Sequence, residues 1–238
     1  MITTTTPDFA VTKVSEKANL RLPRWCTILL LLGFPLLYQL NGFAPWTRHL
    51  FAQREHSWWV GWFCSVLILH WLSIATLLLF LRRARWPLAI IGLTTPPAKL
   101  LTTFALLAAT GFALVWVKTA VLDIHVIIPH TAFSMVYPLT LGQRCFWIFI
   151  ALSGAFCEEL LYRGFAITEL RRNGINRWLA AALASVSFVL IHGSTAFHSF
   201  PNLFIAGMIS SGIFLWRRSL LPGMIFHALV DLCAVFVF

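Results

Sequence analysis

Residues 57–81 read SWWVGWFCSVLILHWLSIATLLLFL, and Arg82 and Arg83 follow at once. The stretch exceeds the ~20 apolar residues with which a helix crosses a hydrocarbon core. Of Asp, Glu, Lys, Arg and His it contains only His70. A lone strand cannot satisfy its backbone in lipid, so the segment is expected to be a transmembrane helix. Outward from it, comparable runs cover roughly 25–41, 100–122, 145–170, 178–198, 202–216 and 219–238. Pro35 interrupts the first run, and the sixth is short. The expected fold is all-α, a multi-pass transmembrane helical bundle of about seven spans.

Composition agrees. The 238 residues are 59% hydrophobic and only 11% charged, with a mean hydropathy of +0.82. That is too little charge to cover a soluble domain. The 11 Trp and 21 Phe suit the two membrane–water boundaries. The five cysteines have no CxxC spacing and read as small apolar fillers.

A net charge of +10 would suggest nucleic acid in a soluble protein. Here topology accounts for it. With a cytoplasmic N-terminus, that side holds Lys13, Lys17, Arg21, Arg24, Arg82, Arg83, Arg85, Lys99, Arg171, Arg172, Arg177, Arg217 and Arg218. The other side holds Arg48, Arg54 and Arg144, which fits the positive-inside rule. No nucleic-acid partner is needed; the expected partner is the lipid bilayer. Residues 1–20 read as a disordered cytoplasmic tail, 21–142 as N-terminal transmembrane helices and 143–238 as a C-terminal transmembrane core. No small-residue cleavage site follows the first span, which is therefore expected to be retained. The expected location is a bacterial inner membrane.

Charge inside a span is costly and is by default a functional hypothesis. The fourth span carries Glu158-Glu159-Leu160-Leu161-Tyr162-Arg163. Glu159 and Arg163, four apart, share one helix face and can pair. Glu158 points about 100° away and lacks that partner. A buried carboxylate poised to accept a proton suits general-base chemistry on water. The fifth span ends its polar pattern at Phe188-Val189-Leu190-Ile191-His192, and the last carries His227-Ala228-Leu229-Val230-Asp231. Counted from the cytoplasmic ends, Glu158, His192 and His227 lie at depths of roughly 20, 22 and 12 Å. Three helices thus deliver polar groups to depths from which they can converge.

Plainer readings stand beside these. Glu159–Arg163 alone reads as a structural ion pair, His192 alone as a core histidine, and His227/Asp231 as a helix–helix clamp. His70, with no charged neighbour at helical spacing, reads as structural. Asp123, His125 and His130 read as a solvated turn.

With EExxxR at 158–163, FxxxH at 188–192 and HxxxD at 227–231, the chain resembles the CAAX protease and bacteriocin-processing (CPBP, or Abi) family, including type II CAAX prenyl endopeptidases. Arg163-Gly164-Phe165 and the segment from Gly207 to Gly223 are similar too, and the resemblance covers roughly residues 143–238. It implies an intramembrane endopeptidase cleaving near the C-terminus of prenylated or membrane-anchored substrates. It also implies that Glu158 and His192 activate water, that His227 and Asp231 stabilise the oxyanion, and that Glu159 and Arg163 support the site. Two positions depart from the pattern: Thr195 stands where many members have Asn, and Asp231 where some have Asn. An ionised aspartate cannot donate to an oxyanion, so the expected roles are orientation by Asp231 and donation by His227.

Metal-free glutamate catalysis with no cofactor is the preferred expectation. A zinc site from His192, His227 and a carboxylate is the alternative, without an HExxH motif. A rival of another class is a non-catalytic membrane protein, either a bacteriocin immunity factor or a transporter-like subunit, retaining these charges for packing.

Overall fold

The computed structural model describes residues 21–43, 56–120, 138–192 and 195–236. The expected tail at 1–20 and the turn carrying Asp123, His125 and His130 lie outside the described residues. Among the described residues every regular element is a helix. These are α1 (Arg24–Ile28), α2 (Phe34–Phe43), α3 (His56–Arg83), α4 (Pro97–Ala120), α5 (Leu141–Glu158), α6 (Ile167–Arg172), α7 (Arg177–Leu190), α8 (Thr195–Arg217) and α9 (Leu221–Leu232). A π-helical turn, Leu29–Gly33, joins α1 to α2. A longer one, Glu159–Ala166, joins α5 to α6. The chain is a helical membrane bundle.

Three helices, Trp59–Arg83, Pro97–Ala120 and Leu141–Arg172, are long and apolar enough to cross a membrane. The second, third and fourth expected spans match them closely. The fifth does not run from 178 to 198. Helix α7 ends at Leu190, Ile191 and His192 form a turn, and a new helix begins at Thr195. Gly193 and Ser194, poor helix formers, stand between the two in sequence. The sixth helix is correspondingly longer than the expected 202–216 and accommodates Pro201. With 14 and 12 residues, α7 and α9 rise only ~21 and ~18 Å. Neither alone covers a ~30 Å hydrocarbon core.

Local chemistry sets the ends. Thr140 and Gln143 form a reciprocal capping box at the start of α5, satisfying two otherwise orphaned donors. Asn176 caps α7 by accepting from the Trp178 amide. The α6–α7 turn closes through Gly174 at φ +86°, a left-handed conformation that costs glycine little.

Helix α5 is the hub: α3, α4 and α9 pack on it, while α7 packs on its π-helical extension. Lipid tails are as apolar as leucine, so close packing and polar bonds must hold such helices together. Ala180, Ala181 and Ala184 on α7 are fully buried. On α8 a Cβ at Gly207 would stand 3.0 Å from Ser185 Oγ, so the α7–α8 contact depends on small residues. The first span braces α7 with two polar bonds. Gln39 donates to the Leu190 carbonyl at 2.6 Å, and Ser187 donates to the Leu31 carbonyl at 2.6 Å.

Candidate active site

The EExxxR segment begins on the last residue of α5 and continues through the π-helical stretch. A π-helix bonds i to i+5 and is wider than an α-helix, so successive side chains fan less far apart. The effect shows at His227 on α9. Its Nδ1 lies 3.1 Å from Glu159 Oε1, and its Nε2 lies 3.8 Å from Glu158 Oε2. An ideal α-helix would hold these neighbouring carboxylates about 100° apart. Here the two reach one imidazole at its two different nitrogens, and Arg163 pairs with Glu159 and not with Glu158, as the spacing predicts.

Glu159 is the sealed anchor, its side chain only 1% exposed. It accepts from Ser210 Oγ on α8 and from His227 Nδ1. Arg163 Nε stands 3.4 Å away, an ion pair too long for a hydrogen bond at that nitrogen. The guanidinium is also held over the Phe188 ring, 4.3 Å from its centroid. Phe188 therefore ties the first motif to the second, and its ring also packs against His192 and His227 at 5.0 and 5.9 Å.

His192, in the turn after α7, places Nδ1 3.1 Å from the Phe188 carbonyl. A carbonyl only accepts, so Nδ1 carries the proton and Nε2 is the nitrogen able to accept. Asp231, one turn beyond His227, brings Oδ2 to 3.5 Å from His227 Nε2. Its side chain is 34% exposed, against 9% for Glu158. The cluster is thus closed at Arg163 and Glu159 and opens past Asp231. Trp147 steadies that rim by donating Nε1–H to the Asp231 carbonyl at 2.8 Å.

All six residues singled out in the sequence thus come together. Glu158, Glu159 and Arg163 arrive from the fourth segment, His192 from the turn after α7, and His227 and Asp231 from α9. The orienting contact expected of Asp231 on His227 is shared, because His227 Nδ1–H donates to Glu159.

One member was missed. His70 on α3, read as structural, sets its Nε2 2.8 Å from Glu158 Oε1. Its signal lay in the sequence as the sole strongly polar ring within an uncharged span, the circumstance that marks intramembrane function. No partner was visible because Glu158 lies 88 residues away. Ser210 was missed as well, since a serine on an apolar helix carries no distinguishing spacing.

Among the described residues, no three His, Cys, Asp or Glu side chains are arranged to hold a metal ion. The Nδ1 atoms of His227 and His192 already face Glu159 and a backbone carbonyl. Each ring therefore keeps Nε2 as the nitrogen available to a further partner, the arrangement also found where a histidine ligates a metal through one nitrogen and donates from the other.

Residues 140–233 match the family described as type II CAAX prenyl endopeptidase Rce1-like, consistent with the CPBP resemblance. No curated protein and no solved structure matches the chain. The matched segment contains all six of those residues. It leaves out α3 and His70.

Proposed function

We propose, from that Rce1-like segment, that the chain is an intramembrane endopeptidase that uses a glutamate-activated water. Its substrates are prenylated, CAAX-type or otherwise membrane-anchored, cut near their C-termini, and its setting is a bacterial inner membrane. The observation that carries this reading is the gathering of Glu158, His192 and His227 from three separate segments, with Glu158 against His227 and both imidazoles on the Phe188 ring.

In this mechanism Glu158 is the general base. Its Oε2 atom is buried with no hydrogen-bond partner among the described residues, which leaves it as an acceptor for a water. A water held between Glu158 Oε2 and His192 Nε2 attacks the scissile carbonyl carbon. Glu158 takes one proton from that water as the C–O bond forms. The carbonyl π electrons move onto oxygen, and His227 Nε2–H donates to the resulting oxyanion. When the intermediate collapses, the C–N bond breaks and Glu158 returns the proton to the leaving amine. Glu159 fixes the imidazole of His227 through Nδ1, Asp231 flanks Nε2 at the rim, and Arg163 neutralises Glu159. A preorganised oxyanion donor contributes about 3–4 kcal/mol to barrier lowering in related chemistry.

Glu158→Gln preserves shape and removes the base. Turnover of an internally quenched farnesylated CAAX peptide by purified protein is expected to fall by about 10²–10⁴-fold. His192→Ala is expected to fall in the same assay. Turnover should persist in excess chelator. If both variants lose stability yet process peptide at the wild-type rate, the charges are structural and the non-catalytic reading prevails. Loss of turnover in chelator, with recovery on adding zinc, would replace glutamate catalysis by metal catalysis.

A further inference from the structure

The geometry points to His70 as the residue that positions the general base, fixing which oxygen of Glu158 faces the substrate. This inference rests on the protease reading and adds to it a residue from outside the matched segment.

His70 is 4% exposed and sits midway along α3. Its Nε2 lies 2.8 Å from Glu158 Oε1, the shortest contact either Glu158 oxygen makes among the described residues. Its Nδ1 is buried with no hydrogen-bond partner among them. A buried N–H without an acceptor is costly, whereas a bare ring nitrogen costs less. The arrangement therefore fits a neutral imidazole with its proton on Nε2, donated to the Glu158 carboxylate. One face of the ring packs on Tyr38, centroids 5.6 Å apart, and Ser73 Oγ donates to the His70 carbonyl. These contacts hold the ring in place while leaving Nδ1 unbonded.

The consequence is an asymmetric carboxylate. Oε1 is occupied by the His70 N–H, and Oε2 is the oxygen without a hydrogen bond, 3.8 Å from His227 Nε2. The local backbone leaves room for this. A Cβ placed on Gly154 would stand 3.5 Å from Glu158 Oε1, 3.8 Å from His70 Cε1 and 4.0 Å from Asp231 Oδ2. One turn before Glu158, the hub helix thus presents only a hydrogen toward the His70–Glu158 pair. Without His70 the carboxylate would rotate freely about its last torsion, and proton transfer geometry would be lost. His70 does not touch the substrate. It acts through Glu158.

The test pairs two amides of different reach. In His70→Gln the amide nitrogen replaces Nε2 and can still donate to Glu158. In His70→Asn the amide matches the position of Nδ1 and falls short. On the farnesylated CAAX peptide, His70→Gln is expected to keep kcat within about 5-fold of wild type. His70→Asn is expected to lose about 100-fold in kcat with KM little changed, the scale of a misplaced proton-transfer group. Equal kcat for the two variants in folded protein overturns the positioning role. If His70→Asn does not fold, His70→Gln decides: an inactive His70→Gln that unfolds at the wild-type temperature overturns it too.

A second readout needs no turnover. Labelling of Glu158 by dicyclohexylcarbodiimide, read by peptide mass spectrometry, reports how well its carboxylate is held. Labelling is expected to stay low in wild type and His70→Gln and to rise several-fold in His70→Asn. Equal labelling in all three overturns the inference. A wild-type protein that leaves the peptide uncut, yet shows this labelling pattern, removes the protease reading and keeps the His70–Glu158 pair.

Discussion

Phe188 shows how much one apolar side chain contributes to a polar site. Its ring carries the Arg163 guanidinium on one side and packs against Tyr162, His192 and His227. A desolvated cation over an aromatic face is worth about 2 kcal/mol. Arg163 makes a long ion pair to Glu159, and its Nε and Nη1 atoms lack hydrogen bonds among the described residues. The aromatic face is therefore a principal support. Phe188→Leu, which keeps bulk and removes the π system, is expected to lower stability by about 2 kcal/mol in thermal unfolding in detergent. Unchanged unfolding would mean that Glu159 alone holds the guanidinium. The phenylalanine was legible as a letter in a motif. That it joins two motifs needed the fold, because Arg163 and Phe188 meet only when α7 packs on the π-helical segment.

At the scale of elements, the π-helical stretch from Glu159 to Ala166 decides the site. Its first residue, Glu159, shares His227 with Glu158, and the stretch runs against neighbouring backbone with no space to spare. A Cβ on Gly164 would come within 2.7 Å of the Ile91 carbonyl oxygen. Gly223 on α9 meets the same limit against Glu159 Oε2, also at 2.7 Å. The two glycines separate stability from chemistry. Gly164→Ala pushes on fixed backbone and is expected to cost about 1–3 kcal/mol of stability. Gly223→Ala pushes on the carboxylate that orients His227, so its peptide turnover should fall further than its stability does. Thermal unfolding and turnover measured together check both. If Gly223→Ala proves as active as wild type, Glu159 does not set the His227 orientation. The Glu159–Arg163 pairing was readable from i, i+4 spacing. The π widening was not, since no residue pattern distinguishes it from an α-helix.

At the scale of the molecule, the N-terminal helices are part of what holds the candidate site together. Gln39 and Ser187 tie the first span to α7, with Gln39 bonding the carbonyl two residues before His192. Helix α3 supplies His70. The distribution of Lys and Arg predicts a cytoplasmic N-terminus, and seven crossings then put the C-terminus outside. Reporter fusions at the two ends should report opposite sides. Both ends on one side would mean that one of the short helices, α7 or α9, does not traverse the bilayer.

The sequence by itself determined that the chain is helical and membrane-embedded, because uncharged runs of this length leave the backbone no other way to bond in lipid. It also singled out the motifs from which the candidate site is built, because charge is rarely kept within such runs without a use. Only the tertiary structure decided which of these groups touch one another. His70 and Glu158 stand 88 residues apart in the chain and 2.8 Å apart in space, and a contact of that kind follows from how α3 packs on α5, which no local spacing encodes. The same holds for the break between α7 and α8, where the fifth expected span stops early at Leu190 and the next helix already begins at Thr195, because packing and not hydropathy sets where these helices end.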